Sequence, residues 1–520
     1  MKRAGLMTKG LVALCCAALS LEAARAEPSQ EWNPNPVVEM ATGSRHDHNK
    51  LDQEIEKLQQ ELKTFETQFS EGAKALSLND VVELALKNNP TLRAAVDQVQ
   101  SSDWLLIASQ QSWYPVISLN SLGIPSYGVD STYSYGTQDD SQESKTTFQS
   151  GLNAELKWTF LDPQRQPKIN TSYYQLSADR LLFYTTARDT INNAQTGYFN
   201  LQGSIENIRD FQQIVAVVQQ SYDSILNKYK AGYANLLEVE QIKTELENNL
   251  TTLINYYVTY SRQAAELSAY VGLANYTLII PSDPLQQEGS WNNDLKHSIR
   301  LGLNNSELIQ RALAQADQNK WQGFFALNTN LPNFYLSLNS EANQRSLRRS
   351  TWGSYLNNYG QQNGNAYALL GFKWQLFNGG INYSTAKSYF SQQQNFLAQS
   401  RSQSDFVVKE VRSNYAAMFG SQKAIRVTNS AYQSAQVANE AATMRYRAGL
   451  ENVTTIVQTV QLLANASIER TRSLVEYNTA ISNLYLYAAV WPGSTYPIVE
   501  QLLNPSSSSS KPNQAPSPEQ

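Results

Sequence analysis

The chain has 520 residues, 41% of them hydrophobic and 17% charged, with 41 Lys and Arg against 45 Asp and Glu for a formal net charge of −4. That length supports more than one structural unit, and a weakly acidic chain without basic runs excludes nucleic acid as a partner. The two cysteines, Cys15 and Cys16, lie together near the start, which excludes a disulfide framework.

Residues 1–26 read as a secretory signal: Lys2, Arg3 and Lys9, an apolar run from Leu11 to Leu21, and Ala24-Arg25-Ala26 as a small-x-small cleavage site. The run is too short for a membrane anchor, and neither cysteine sits in a lipoprotein-type box. Cleavage after Ala26 leaves 37 basic against 44 acidic residues and no cysteine. No later stretch approaches 18 consecutive apolar residues, so the exported chain is either soluble or embedded as a β-barrel. Residues 27–75 form an extension in which Leu51, Ile55, Leu58, Leu62, Phe65 and Phe69 follow four-three spacing. This short helix either supports oligomerisation or packs on the body.

A first structural repeat is expected over 76–290. A strand starts after Pro115 with Ile117 and Leu119 on one face, and 126–146 reads as a polar hairpin loop. Next comes clear alternation: Phe148, Ser150, Leu152, Ala154, Leu156, Trp158 and Phe160 against Gln149, Gly151, Asn153, Glu155, Lys157 and Thr159. The run from Pro163 to Lys230, with glycine only at Gly197 and Gly203, predicts a helix of about 100 Å. Such a length implies a coiled coil or extended bundle. A break at Gly232 turns the chain back, and Leu246, Leu250, Leu253, Tyr257, Tyr260, Ala264, Leu267 and Val271 form a heptad seam, so the two helices are antiparallel neighbours.

The second repeat, 291–490, restates the first at an offset of 216 or 217. Tyr229-Lys230-Ala231-Gly232 returns as Tyr446-Arg447-Ala448-Gly449, and Lys157-Trp158 as Lys373-Trp374. Trp104, Pro115, Tyr260, Leu267 and Tyr270 return as Trp321, Pro332, Tyr477, Leu484 and Tyr487. Landmarks in register over this length mark a tandem duplication. The second strand pair carries Phe334 and Leu336, a polar loop over 340–364, then Ala368, Leu370, Phe372, Trp374 and Leu376 with Lys373 and Gln375 opposite. The second seam runs Leu463, Ser467, Arg470, Leu474, Tyr477, Ile481, Leu484 and Ala488. From 491 onward a disordered tail is expected, ending in five consecutive serines and four prolines between Asn504 and Gln520.

The fold class is therefore mainly α with a small β part. Alternating strands suit either a half-buried sheet of a soluble domain or a lipid-facing barrel wall. Export, aromatic strand ends and polar loops favour the wall. Four strands cannot close into a barrel, and open edges are forbidden in lipid, so copies must share one. Two chains would give eight strands, three would give twelve. The strands' other face then lines a lumen with Glu155, Lys157, Lys373 and Gln375. Of three histidines, His46 and His48 stand in an extension without a third ligand nearby and His297 is alone, so neither metal nor cofactor is expected. No nucleophile or phosphate cradle points to an enzyme.

At this point the residues resemble the TolC-like outer membrane efflux proteins. The resemblance rests on Leu78 to Pro90 with its Ala85-Leu86-x-x-Asn89-Pro90 ending, Trp113-Tyr114-Pro115 entering a strand, Trp374 to Gly380 leaving one, and the two Y-x-x-G tips. It covers about residues 76–490. It implies a homotrimer with a 12-stranded outer-membrane barrel, continued across the periplasm as an α-helical barrel. Such a channel exports small molecules or proteins as the exit duct of a tripartite efflux or type I secretion system. Its partners would be a periplasmic membrane-fusion adaptor, an inner-membrane ABC or RND-type transporter, and outer-membrane lipid. The alternative is an exported trimeric coiled-coil structural or receptor protein without transport. The resemblance also assigns the hairpin tips to adaptor contact. Tyr229, Gly232, Leu236 and Leu237 would serve in the first tip and Tyr446, Gly449, Val453 and Ile456 in the second, unless these merely pack the hairpin ends. Where family members carry two entrance aspartates this chain has Thr455 and Gln458, which leaves Glu238 and Glu451 as the expected entrance charges.

Overall fold

The computed structural model describes residues 72–121, 123–134, 141–273, 277–351, 354–493 and 495–503, with 53, 57, 60, 61, 64 and 67 before them. The expected leader, the heptad positions Leu51 to Phe69 and the tail from 504 lie outside the described residues. The chain divides into two compact units, Met1–Gln68 and Phe69–Gln520. In the first, the described positions are helical and exposed, and Lys57 faces Glu61 one turn on at 3.9 Å.

The second unit opens with a parallel ribbon, β1 (Lys74–Leu76) against β5 (Ile279–Pro281), which sequence periodicity did not reveal. Helices α1 (Leu78–Asn88) and α2 (Pro90–Gln110) follow, and the residues between them explain the Asn-Pro signature. Asn89 ends one helix and caps the next, accepting from Leu92 N at 3.0 Å, while Pro90 starts the helix where no N–H partner is needed. The strands are β2 (Val116–Ser121), β3 (Ser126–Ser134), β4 (Ser141–Leu161), β6 (Asn333–Thr351) and β7 (Ser354–Lys373). All pairing is antiparallel in the order β2-β4-β6-β7, and β3 also pairs with β4. Thus β2 and β3 are one strand track, broken near Gly123, whose φ is +118°. The sheet supplies four tracks, as expected.

Two expectations need correction here. Residues 126–146 and 340–364 are not loops in their described parts. β4, β6 and β7 run 21, 19 and 20 residues, and the ladder continues to Thr351 opposite Ser354. An antiparallel backbone ladder needs no apolar side chain, so strands that are polar on both faces lose the period-two signal. Gln375, expected inside the lumen, lies beyond the end of β7.

The long helices are α3 (Arg165–Lys230, 66 residues) and α7 (Ile381–Arg447, 67 residues), each folding back on α4 (Leu236–Val271) and α8 (Val453–Tyr487). The first starts two residues later than expected and carries Pro167 in its first turn, where proline costs no hydrogen bond. Between them in sequence, α5 (Leu295–Asn305) and α6 (Glu307–Asn328) repeat α1 and α2. The heptad residues Leu246, Leu250, Leu253, Tyr257, Ala264, Leu267 and Val271 are buried, as are Leu463, Leu474, Tyr477, Ile481 and Leu484 of the copy. The polar places in the copy are matched across to α3: Ser467 donates to Asp210 and Arg470 pairs with Glu206. Within the tail expected from 491, α9 (Thr495–Leu503) is helical and buries Val499 in the core of α1 to α4.

Candidate functional site

Two regions of the second unit carry the expected site residues, and the hairpin tips are the better defined. Helix α3 ends in a Schellman turn: Tyr233 N donates to Lys228 O at 2.8 Å and Gly232 N to Tyr229 O at 2.9 Å. The second tip repeats it, with Leu450 N on Arg445 O at 2.9 Å and Gly449 N on Tyr446 O at 3.0 Å. Both glycines sit at positive φ, +82° and +75°, which is why the motif requires them. Each returning helix is then capped by asparagine: Asn235 accepts from Glu238 N at 2.9 Å and Asn452 from Thr455 N at 3.1 Å.

The tips are joined side by side. Lys228 Nζ donates to Tyr446 O at 3.2 Å and lies 4.0 Å from the centre of the Tyr446 ring. Burial, with the negative Glu238 nearby, pushes the Tyr446 hydroxyl up to about 12. Sequence reading missed this contact, although a signal existed: Lys228 and Arg445 occupy the same place before the two tyrosines. The copies use it differently, for Arg445 pairs with Glu451 at 3.4 Å.

Of the tip residues expected to be exposed, Leu237 is 65% exposed, whereas Leu236 is only half-exposed and Val453 and Ile456 are 0% and 1% exposed. The last two are buried and cannot grip a partner. The apolar tip surface instead comes from Tyr233 (86%), Leu237 and Leu450 (71%). Among the expected entrance charges, Glu238 is held by the neutral Asn235 amide at 3.1 Å, while Glu451 faces Arg445 and accepts from Thr455 at 3.0 Å. Gln458 is exposed and Tyr229 half-buried.

The second region is the sheet. Register places Ile117, Leu156, Leu338 and Ala368 in one row and Trp158, Leu336 and Leu370 in the next on the same face. The opposite face carries Glu155, Lys157, Ser337, Asn339, Glu341, Asn343 and Lys373, interspersed with Tyr335, Tyr367 and Leu369. Ser337 donates to Glu155 at 3.3 Å, Asn339 to Ser337 at 2.7 Å, and Lys157 lies 5.0 Å from the Tyr335 ring centre. This polar face is the more enclosed one: Ser337 is buried while its neighbour Leu338 is exposed. Across β4 and β6 the polar face is enclosed and the apolar face exposed, the inverse of a globular protein's pattern and the one a lipid-facing wall requires. At the helical end, Trp158 Nε1 donates to Trp113 O and Trp374 Nε1 to Asn330 O, both at 3.0 Å. No helix among the described residues is long and apolar enough to cross a membrane.

Away from both sites, a cluster in the body of α3 joins the repeats. Arg188 of α3 binds Glu307 at 3.0 and 3.1 Å and Ala489 O at 3.2 Å, and stacks 3.9 Å from the Trp491 ring. Burial pushes its guanidinium down and Glu307 pulls it back up.

Comparison with known proteins fits this geometry. The family model described as outer membrane efflux protein matches residues 81–273 and 299–490, one segment per repeat. The chain is 25% identical over 240 residues to the cation efflux system protein CusC of Escherichia coli O157:H7 and 26% identical over 240 residues to that of strain K12. Each alignment covers 44% of this chain and 47% of the relative, so the chain spans about half the length of the curated relatives it matches. Among solved structures, a Pseudomonas aeruginosa membrane protein superimposes with TM-score 0.63 at 15% identity, covering 79% of this chain and 93% of the other. The Campylobacter jejuni CmeC outer membrane channel gives 0.62 at 17%, covering 82% and 89%. The open Neisseria gonorrhoeae MtrE channel gives 0.61 at 14%, covering 79% and 89%.

Proposed function

The chain belongs to the outer membrane efflux protein family, and from that premise we propose that it is the exit duct of a tripartite efflux or type I secretion system. Three copies pool their strand tracks into one 12-stranded barrel in the outer membrane, and their helical hairpins continue it as a tunnel through the periplasm. The observation that carries this reading is the sheet itself: an apolar exposed face, a polar enclosed face, and four tracks whose outer members, β2 with β3 and β7, each pair on one side only among the described residues. Such edges are excluded in lipid unless another copy pairs with them.

Glu155, Lys157 and Lys373 then line the water-filled barrel, with Gln375 at its rim. A periplasmic membrane-fusion adaptor docks on the tips through Tyr233, Leu237 and Leu450 around Gly232 and Gly449, and an ABC or RND-type transporter supplies cargo and energy. The channel itself performs no chemistry. Its work is to hold an aqueous path open through lipid and to present a joint at its periplasmic end. At that end Glu238 carries more of the effective charge than Glu451, which Arg445 offsets.

Recording from planar lipid bilayers tests the reading. The purified trimer should insert and give discrete conductance steps, and Glu238→Ala should lower cation preference more than Glu451→Ala does. A coiled-coil spacer or receptor would give no steps, and that result would end the proposal.

A further inference from the structure

We propose that the barrel is prolonged beyond the membrane as a rigid polar β-collar, so that cargo leaves the pore clear of the lipid surface. The inference rests on the membrane-wall reading above and concerns a part of the sheet that no lipid contact explains.

On the apolar face, β4 runs from Phe160 and Trp158 through Leu156, Ala154 and Leu152 to Phe148, which pairs with Tyr127 of β3. The aliphatic stretch therefore has aromatic residues at both ends, the arrangement of a barrel wall between two interfacial girdles. A membrane strand needs about 9–11 tilted residues. The strands here have 19 to 21. The surplus lies on the side of the Phe148 and Tyr127 girdle, opposite the helices, which join the sheet through Trp158 and Trp374. Under the reading above that side is the cell exterior.

Beyond the girdle the pairing does not stop. Val129 pairs with Thr146, Ser131 with Ser144 and Tyr133 with Gln142, while Thr146 also pairs with Arg348 and β6 remains laddered to β7 as far as Thr351. The outward positions Ser131, Ser144, Thr146 and Arg348 are polar or charged. A charged side chain on the lipid face is strongly disfavoured, so these rows belong in water. Both faces are mainly polar, with Val129 and Tyr133 the apolar exceptions on the outward face and Leu347 on the inner one, and the ladder holds the shape.

The seven residues Gly128–Ser134 paired with Ser141–Thr147 give about 20 Å of strand, or about 15 Å of height at a tilt near 40°. The headgroup layer on one side of a bilayer is about 5–8 Å deep. The collar's mouth therefore stands past the headgroups, and an apolar cargo meets water rather than lipid as it leaves.

The test uses full-length channels in intact cells, with Cys15 and Cys16 as the sequence's only cysteines. Single Ser131→Cys and Leu338→Cys variants are treated with a membrane-impermeant maleimide, and unmodified cells with external trypsin. Ser131→Cys should label on intact cells, Leu338→Cys should not, and the chain should stay uncut at Arg345 and Arg348. Rapid cleavage at Arg348, with Ser131→Cys still labelled, would overturn the collar by showing a loose loop while leaving the channel intact. Labelling of Ser131→Cys only after cells are broken would overturn its external placement. Labelling of Leu338→Cys from outside would instead defeat the membrane-wall reading underneath.

Discussion

At the scale of single residues, the two copies solve one problem unequally. Gly272 ends α4 in the left-handed region at φ +73°, and its counterpart at the end of α8 is Ala489 at φ +54°, the one described residue other than glycine with positive φ. An L-residue there costs about 1–2 kcal/mol, and the bond from Arg188 to the Ala489 carbonyl helps to hold it. Ala489→Gly should therefore raise stability by about 0.5–1 kcal/mol, read as a higher melting temperature in detergent. Gly272→Ala should do the opposite and more, because the new methyl would lie 2.6 Å from Asn88 O. The tip tyrosine sets a second expectation. Tyr446 is pushed up to about 12 against an ordinary value of 10, so the folded state favours the neutral phenol. Its contribution is complete below pH 10 and is lost as pH rises toward 12. Tyr446→Phe should leave neutral-pH stability nearly unchanged and flatten the alkaline loss, followed by circular dichroism against pH.

At the scale of elements, each hairpin is held by an apolar seam, while α3 and α8 are also joined by polar contacts such as Asp210 with Ser467 and Glu206 with Arg470. Leu250 is a buried seam residue, so Leu250→Ala should cost about 2–5 kcal/mol in thermal unfolding. The exposed Leu237→Ala should cost little stability, and its loss should appear in adaptor binding instead. The seams were legible in the sequence because Leu246 to Val271 keeps strict four-three spacing, and the duplication was legible because paired landmarks stay 216 or 217 apart. Other features left no periodic trace. The outer halves of β4, β6 and β7 are mostly polar without a two-residue period, β1 and β5 are three residues each, and α9 is docked by a few apolar side chains. At the tips the motif located the turn, yet it could not say that Val453 and Ile456 point inward. That depends on which helices cover the start of α8, which spacing alone does not specify. The Lys228 and Tyr446 contact is likewise a product of bringing the two tips together.

At the scale of the whole molecule, the account turns on edges. The chain offers four strand tracks with an apolar exposed face, too few to seal themselves in lipid, and two long hairpins whose tips are tied together. The proposed arrangement of three chains around one pore suits both the family membership and the geometry of the sheet. Native mass measurement of the detergent-extracted protein tests this most directly. The account predicts a single species of three chains that needs detergent to stay in solution. A monomer stable in plain buffer, without affinity for bilayers, would contradict it.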